Sequence, residues 1–395
     1  MEKTNRILSI DIMRGLTLFL MLFVNDLFVP GVPHWMVHTH ADFDGMGLAD
    51  WVFPGFLFMV GLSIQYAISS RLQGGQSKKK IFGHVVLRTL SLLLIGVFML
   101  NSGRLNPELS GISSNIWAIS MYVSIFLIWN NYPANEKLKT LFIGLRILGI
   151  AGLALLAFVF RAGEPGNISW FHTEWWGILG LIGWGYLVAA SVNLLIGPRL
   201  WPTIAVWLFF IMMNILSSLG LTNFLDFIKP VFGVIINGDV PSVVLAGLVI
   251  SLILKQSTLT PGKKTGIIIL LGVFSILAGF FLRHWFIISK IQGTPSWTMI
   301  CNGISMIVFS LLYFIIDIHK KVKWAFVFKP AGQNSLTTYL APDIIYYAVW
   351  ALGLPLFFYK QDVSQWMAVL GSAAWALAMV GLAALLAKIN IRLRL

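Results

Sequence analysis

The residues best suited to chemistry lie in a short polar loop between two apolar segments, within residues 25–61. Beyond Asp26, this stretch contains three histidines and three aspartates, namely His34, His38, His40, Asp42, Asp44 and Asp50. The flanking segments are almost entirely apolar, and ionisable groups at the edge of a membrane are costly and tend to mark functional sites. We therefore take this histidine loop as the first candidate for a reactive centre.

His40 has three interpretations. It is a solvated loop residue, or a metal ligand together with His38 and a nearby aspartate, or a catalytic base or nucleophile. A His-x-His pair with one carboxylate is a loose pattern for zinc, and we predict no metal site. Histidine suits acid–base and nucleophilic chemistry because its ordinary pKa, about 6.5, allows proton exchange near neutral pH.

Two further polar residues flank the loop. Asn25, near the end of the first apolar segment, caps that helix or bonds to a neighbouring helix, or its amide stabilises an oxyanion or an imidazole. Asp50 opens the second segment, where it complements the helix dipole or orients His40 as the acid of a catalytic triad does. The residue types alone leave these alternatives open.

Basic residues supply a second group of candidates. Arg14 lies three residues after Asp11, so the two side chains share a helix face. They either neutralise each other or leave Arg14 to contact a ligand phosphate or carbonyl.

The densest basic group consists of Arg71, residues 78–80 and Arg88. Such groups usually anchor the cytoplasmic face of a membrane protein, and this one could also bind the phosphates of a cytoplasmic acyl-CoA. The chain has no glycine-rich phosphate loop, so nucleotide hydrolysis is not supported.

The composition places these residues in a membrane protein. Hydrophobic residues make up 58% of the 395 residues and charged residues 11%, whereas a soluble domain contains roughly 25% charged residues. The basic residues punctuate the apolar segments and form no basic domain of their own, which argues against nucleic acid as a partner despite the net charge of +13. The sequence therefore predicts an all-α, polytopic protein, with the lipid bilayer as its solvent and one integral-membrane domain over residues 1–395.

Twelve segments are apolar enough, over about 20 residues each, to be predicted as transmembrane helices. They cover residues 8–29, 48–70, 81–101, 113–130, 140–160, 174–196, 201–220, 234–254, 266–288, 297–317, 332–352 and 364–386. The segment at 234–254 is interrupted between Asn237 and Pro241, so we expect it to be short or re-entrant. The number of spanning helices would then be ten or eleven.

The lysines and arginines set the predicted orientation. With the N-terminus inside, 22 of the 28 lysines and arginines fall at the inner ends and loops, as the positive-inside rule requires. Both termini are then cytoplasmic, and the histidine loop faces the outer side. The short N-terminus favours the inner membrane of a bacterium, where the loop would face the periplasm.

Four sequence blocks resemble the family of heparan-α-glucosaminide N-acetyltransferases, which are transmembrane acyltransferases. The blocks are SIDIMRGLTLFLMLFVN from Ser9, HADFDGMGLADWVFPGFLFMVG from His40, TPSWTMICNGIS from Thr294 and GQNSLTTYL from Gly332. They occur in the order expected for the family. Related proteins often have an asparagine where this chain has Asp44, and an acid there could change acceptor preference by attracting an amine.

The resemblance implies an acetyltransferase domain with acetyl-CoA as donor and a terminal amino sugar or related glycoside as acceptor. His40 matches the histidine of the family's H-A-x-x-x-G block, and Asn25 matches the asparagine of the first block. The resemblance thus implies a catalytic His40, and we predict that Asn25 and Asp50 assist it. Direct transfer and transfer through an acetyl-histidine intermediate both fit these residues.

The donor site is predicted from the basic residues and from the third and fourth blocks. We expect it to be lined by Arg14, Arg88, Trp297, Asn302, Asn334 and Ser335. O-acetylation of a cell-surface polysaccharide and secondary transport are the alternative functions. Some relatives associate as dimers, so a homodimer remains an open prediction.

Overall fold

The computed structural model describes residues 7–354 and 364–395. The described residues are mainly helical, and the two strands β1 (Ala162–Glu164) and β2 (Asn167–Ser169) form a small antiparallel hairpin. The predicted all-α class is thereby confirmed. Three residues used to predict the orientation, Lys3, Arg6 and Lys360, lie outside the described residues.

The helices follow one another along the chain with short connections. The α-helices are α1 (Leu8–Asn25), α2 (Leu48–Gln73), α3 (Lys78–Ser102), α4 (Pro107–Ser110), α5 (Ser114–Trp129), α6 (Lys139–Val159), α7 (Gly177–Ile196), α8 (Leu200–Ser218), α9 (Lys229–Asn237), α10 (Asp239–Lys255), α11 (Pro261–Leu282), α12 (Pro295–Tyr313), α13 (Lys329–Gln333), α14 (Ser335–Leu352) and α15 (Gln365–Lys388). Short 3-10 turns lie at Val29–Gly31, His34–Met36, Glu136–Leu138, Asn223–Leu225 and Lys323–Ala325, and a π-turn follows α12 at Phe314–Ile318.

Each of the twelve predicted segments contains a helix. Within the described ranges, nine helices are long and apolar enough to cross a membrane, and the pair α9–α10, bent by 46°, makes ten if it is counted as one span. The two remaining segments are the shorter α5, with 16 residues, and α14, with 18 residues. The bend lies at Gly238, which has a positive φ of 75°, so the interruption predicted in this segment is confirmed.

The bundle has two chemically distinct ends. At the histidine end, α1 finishes, α2 begins, and the loop between them carries His34, His38 and His40. At the basic end, α2 finishes and α3 begins with residues 78–80, which are all lysines. Which of these ends faces the cytoplasm remains a prediction.

α2 lies at the centre of the bundle and packs against α1, α7, α10 and α12. Its closest approach to α10 depends on two glycines. A Cβ atom added at Gly61 would lie 1.7 Å from the carbonyl oxygen of Val244, and one at Gly247 would lie 2.0 Å from that of Phe58. Small residues of this kind let the backbones of membrane helices approach closely, so this contact fixes the position of α2.

Candidate functional site

Asp50 holds the histidine loop onto the start of α2. Its side chain is 1% exposed, and its Oδ2 accepts hydrogen bonds from the backbone N–H groups of Gly47, at 3.0 Å, and Thr39, at 3.2 Å. The Thr39 hydroxyl also donates to Oδ2, at 3.1 Å. The other oxygen, Oδ1, lies 2.7 Å from Nδ1 of His38. Asp50 occupies the third position of the helix, where a carboxylate commonly bonds back to the N-cap backbone.

The imidazole that contacts Asp50 is that of His38, and the predicted orientation of His40 by Asp50 remains a prediction. The carboxylate accepts from four donor groups, three of them on Oδ2 and the His38 ring on Oδ1. The His40 side chain is exposed and makes no hydrogen bond to any described residue. The catalytic role of His40 remains a prediction.

His38 also contacts a lysine from a distant part of the chain. Lys290 Nζ lies 3.2 Å from Nδ1 and 3.5 Å from Nε2 of His38. Burial lowers the pKa of Lys290, and the charge of Asp50 opposes that shift. Because the Asp50 carboxylate can only accept, the proton of a neutral His38 lies on Nδ1. The second nitrogen, Nε2, then carries the lone pair that a base requires, with Lys290 Nζ 3.5 Å away.

The loop between α11 and α12 clamps the histidine loop from the other side. Arg283 Nε donates to Asp44 Oδ2 at 2.8 Å, and the backbone N–H of Ile288 donates to Asp44 Oδ1 at 2.8 Å. The Ser289 hydroxyl donates to the carbonyl oxygen of Ala41 at 2.8 Å. The N–H of Ile288 and the Arg283 guanidinium lower the pKa of Asp44. Both oxygens of Asp44 thus anchor the loop.

A cavity of about 710 Å³, here called the basic-end cavity, lies between α1, α2, α3, α7 and α14. Its polar lining consists of Arg14, Ser70, Arg71, Gln76, Arg88, Gln333, Asn334, Ser335, Tyr339 and Arg394. Its apolar lining includes Leu18, Met21, Phe56, Val60, Ile178 and Leu179. The cavity therefore combines four arginines with a long apolar wall.

The structure brings together four of the six predicted donor-site residues in this cavity: Arg14, Arg88, Asn334 and Ser335. The other two, Trp297 and Asn302, do not line this cavity and are buried elsewhere on α12, and their role in donor binding remains a prediction. Trp297 Nε1 donates to the backbone carbonyl of Asp50 at 3.3 Å, and Asn302 Nδ2 donates to the hydroxyl of Ser242 at 3.4 Å. α12 packs between α2, α10 and α11, which keeps both side chains away from the cavity.

Arg14 is fixed in the cavity wall by three contacts. Its Nη1 donates to the carbonyl of Gly332 at 3.1 Å and lies 3.9 Å from Asp11 Oδ1. Its Nη2 donates to the hydroxyl of Ser63. Both interpretations of the Asp11–Arg14 pair are therefore compatible with the structure, because the ion pair forms and the guanidinium still lines the cavity.

One stripe of α1 leads from the basic-end cavity to the histidine end. Arg14, Leu18 and Met21 line the cavity, and Asn25 is the next position on the same helix face. Asn25 is exposed at the last residue of α1. Its neighbour Asp26 is buried, and the Tyr346 hydroxyl donates to Asp26 Oδ2 at 2.5 Å.

A second cavity, of about 830 Å³, lies at the histidine end and is here called the histidine-end cavity. Its wall includes His38, Glu174, Trp175, Trp176, Asn214, Lys229, Asp239, Lys290 and Gly293. The first turns of α7 separate the two cavities, since Ile178 and Ile182 face the first and Leu181 faces the second. His38 and Lys290 were missed by sequence reasoning. The only local signal was the position of His38 in the same polar loop as Asp50.

Comparison with known families identifies the chain at this point. Residues 6–231 match the family model described as Domain of unknown function (DUF5009). That match covers more than half of the 395 residues and includes the histidine loop. The chain belongs to the DUF5009 family.

Curated relatives of this DUF5009 protein confirm the resemblance drawn from the sequence blocks. The chain is similar to heparan-alpha-glucosaminide N-acetyltransferase of Mus musculus, with 34% identity over 154 residues, which is 37% of this chain and 23% of the mouse protein. It is also similar to the Homo sapiens protein of the same name, with 40% identity over 96 residues, which is 24% of this chain and 14% of the human protein. The matched region thus spans less than a quarter of each relative.

Proposed function

We propose that this DUF5009 protein transfers an acetyl group from acetyl-CoA to an amino sugar or related glycoside at the histidine end. The names of the two relatives supply the reaction class. The observation that carries the proposal is the basic-end cavity, which combines four arginines with an apolar wall that runs along α1 toward Asn25. We further propose that residues 1–395 form one membrane domain. We place this domain in the inner membrane of a bacterium.

The basic-end cavity offers contacts for both parts of acetyl-CoA, namely its phosphates and its pantetheine arm. Arginine guanidinium groups pair well with phosphates, and Arg71, Arg88 and Arg394 supply them. Arg88 is further held over the ring of Tyr186, at 4.8 Å from its centroid. The apolar stripe of α1 then guides the pantetheine arm, since Arg14 and Asn25 are separated by about 16 Å along the helix.

The proposed reaction breaks the thioester C–S bond and forms a C–N or C–O bond to the acceptor. The acceptor's proton passes to a histidine, which then gives it to the departing CoA sulfur, so that CoA leaves as the thiol. His40, which matches the family's catalytic residue, is the first candidate for this base or for a transient acyl carrier, because its exposed imidazole is free to approach the thioester. His38, oriented by Asp50, is the second candidate. Asn25 stabilises the oxyanion.

The test is thiol release from acetyl-CoA by the purified full chain in nanodiscs, with and without glucosamine. Wild type is compared with His40→Ala and His38→Ala, and with His34→Ala as the control from the same loop. Acceptor-dependent release that disappears only in His40→Ala supports the family assignment, and loss only in His38→Ala moves the base to His38. Release without acceptor, together with an acetylated protein, supports the two-step route.

The same assay also tests two alternative functions, O-acetylation and secondary transport. Release with polysaccharide hydroxyl acceptors and not with amines would identify an O-acetyltransferase. A secondary transporter is favoured by one observation, the bent pair α9–α10, because broken helices commonly form transporter binding sites. Absence of thiol release with both acceptor types would contradict the acetyltransferase proposal, and substrate uptake would then be measured.

A further inference from the structure

Asp239 is the acidic group of the histidine-end cavity that remains without a cationic partner among the described residues. The other acid, Glu174, is paired with Arg104 at 3.5 Å, and the cavity's Lys229 is paired with Asp226 at 2.7 Å. The Asp239 carboxylate accepts a backbone N–H from Val240. A carboxylate in a cavity, balanced only by backbone groups, is suited to receive a cation from a ligand.

The space in front of Asp239 is kept open by the neighbouring backbone. Gly293 has a φ of 60°, and a Cβ atom there would lie 3.0 Å from Asp239 Oδ2. Asn214 holds this wall, since its Nδ2 donates to the carbonyls of Gly293, at 2.9 Å, and Asn237, at 3.0 Å. Asn214 is 2% exposed and lines the cavity, and its Oδ1 has no hydrogen-bond partner in the described structure. Such buried, unpartnered polar atoms are rare and indicate a missing partner.

The wall of the same cavity also presents an aromatic surface. Trp175 is 48% exposed and lines the cavity, and Nε1 of Trp176 donates to the carbonyl of Val231 at 3.1 Å. Glu174 and Trp176 have φ values of 40° and 68°, a conformation uncommon for residues with a side chain. Backbone strain of this kind persists only where the surrounding structure holds it, and it clusters at ligand sites.

We propose that the histidine-end cavity binds the acceptor as a cationic amino sugar, with its ammonium group on Asp239 and its ring against Trp175. Trp175 offers a large apolar face for the sugar ring, and the Asp239 carboxylate makes a charge-assisted hydrogen bond to the ammonium group. The identification of the ligand as a sugar rests on the proposed function. His38, the second candidate base, lines the same cavity. Acetylation removes the positive charge, which weakens the contact with Asp239 and favours product release.

The test is equilibrium binding of sugars to the full chain in nanodiscs without donor, measured by isothermal titration calorimetry. We expect wild type to bind glucosamine more tightly than glucose or N-acetylglucosamine. Asp239→Asn should weaken glucosamine binding by about 10- to 100-fold, as expected for a hydrogen bond to a charged group. Trp175→Ala should weaken all three sugars, and Trp175→Phe should restore part of the affinity. Glu108→Gln removes an exposed acid outside the cavity and should leave binding unchanged.

Equal affinity of wild type for glucosamine and glucose, or no binding of glucosamine, overturns this inference. Unchanged glucosamine binding by Asp239→Asn also overturns it. If Asp239→Asn fails to fold, the two Trp175 variants serve as the test, and unchanged sugar binding by Trp175→Ala overturns the inference. Acetyl-CoA binding, measured separately, should be unaffected in every variant. Acetyl transfer that does not depend on Asp239 would contradict this inference alone, whereas Asp239-dependent binding without any transfer would contradict the proposed function alone.

Discussion

Asp50 organises the histidine end because one buried carboxylate accepts hydrogen bonds from three residues of the loop. Thr39, Gly47 and His38 all depend on it. Leaving buried donors without an acceptor costs about 1–3 kcal/mol, so this carboxylate is needed for the loop's structure as well as for the orientation of an imidazole. Asp44 similarly attaches the histidine loop to Arg283 and Ile288, which lie between α11 and α12.

Replacing Asp50 by Asn should destabilise the protein by about 1–3 kcal/mol, because the amide nitrogen cannot accept the hydrogen bonds that the second carboxylate oxygen accepts. Thermal unfolding in detergent, together with limited proteolysis of residues 38–47, measures the effect. Asp42→Asn, at an exposed position of the same loop, is the matched control and should behave as wild type. Equal stability of the two variants would show that Asp50 does not hold the loop.

The loop clamp should weaken under acid conditions. The pKa of Asp44 is lowered in the folded protein, so its stabilising contribution is complete above its unfolded pKa, about 3.9. That contribution is lost as the pH falls through the lower, folded pKa. The protection of the Gly45 amide, which donates to the carbonyl oxygen of Ile288 at 3.0 Å, should therefore fall in this range, as measured by hydrogen exchange corrected for the intrinsic exchange rate at each pH.

Asp44→Asn is the control for this pH dependence, since it removes the titrating group and retains a polar side chain. It should show faster Gly45 exchange at neutral pH and no additional acceleration from this group on acidification. An identical acid response in wild type and Asp44→Asn would assign the effect to another residue.

Among the helices, α2 connects the two ends of the site. Asp50 lies in its first turn, Phe56 and Val60 line the basic-end cavity, and Arg71 lies near its final residue. The position of α2 along its axis therefore sets the histidine loop and the arginine-lined cavity together. That position is fixed by the glycine contact with α10 described above.

Gly61→Ala should destabilise the bundle by about 1–3 kcal/mol, the usual cost of overpacking a core. The added Cβ would lie 1.7 Å from the backbone oxygen of Val244, so the two helices must separate. Gly83→Ala is the matched control, because a Cβ at Gly83 has no atom within 4 Å. That control should be neutral or stabilising by up to about 1 kcal/mol. Thermal unfolding in detergent compares them, and equal melting temperatures would contradict the prediction.

At the scale of the whole described molecule, the basic-end cavity and the histidine-end cavity lie toward opposite ends and are separated by the first turns of α7. The arginines of the basic-end cavity suit a donor from the cytoplasm, and the histidine-end cavity suits an acceptor from the opposite side. This arrangement gives a transfer reaction a direction only if the basic end faces the cytoplasm. The orientation is therefore the property of the whole molecule that most needs a measurement.

Cysteine labelling tests the orientation directly. The chain has one cysteine, Cys301, which is buried, so an introduced cysteine can be labelled with little background. In intact spheroplasts, a membrane-impermeant maleimide should label Asp42→Cys without permeabilisation and Lys79→Cys only after it. Both positions are exposed. The reverse pattern would place the histidine loop in the cytoplasm and contradict the proposed direction of transfer.

Hydropathy alone determined the helical segments, because a run of about 20 apolar residues satisfies its backbone within a bilayer only as a helix. The sequence also predicted Arg14, Arg88, Asn334 and Ser335 as neighbours, because basic and polar side chains in apolar helices collect around cavities. Only the tertiary structure decided which histidine meets Asp50, since one carboxylate serves few donors. It also brought Lys290 to His38 across 252 residues, a contact that depends on how the helices pack and that no local pattern encodes.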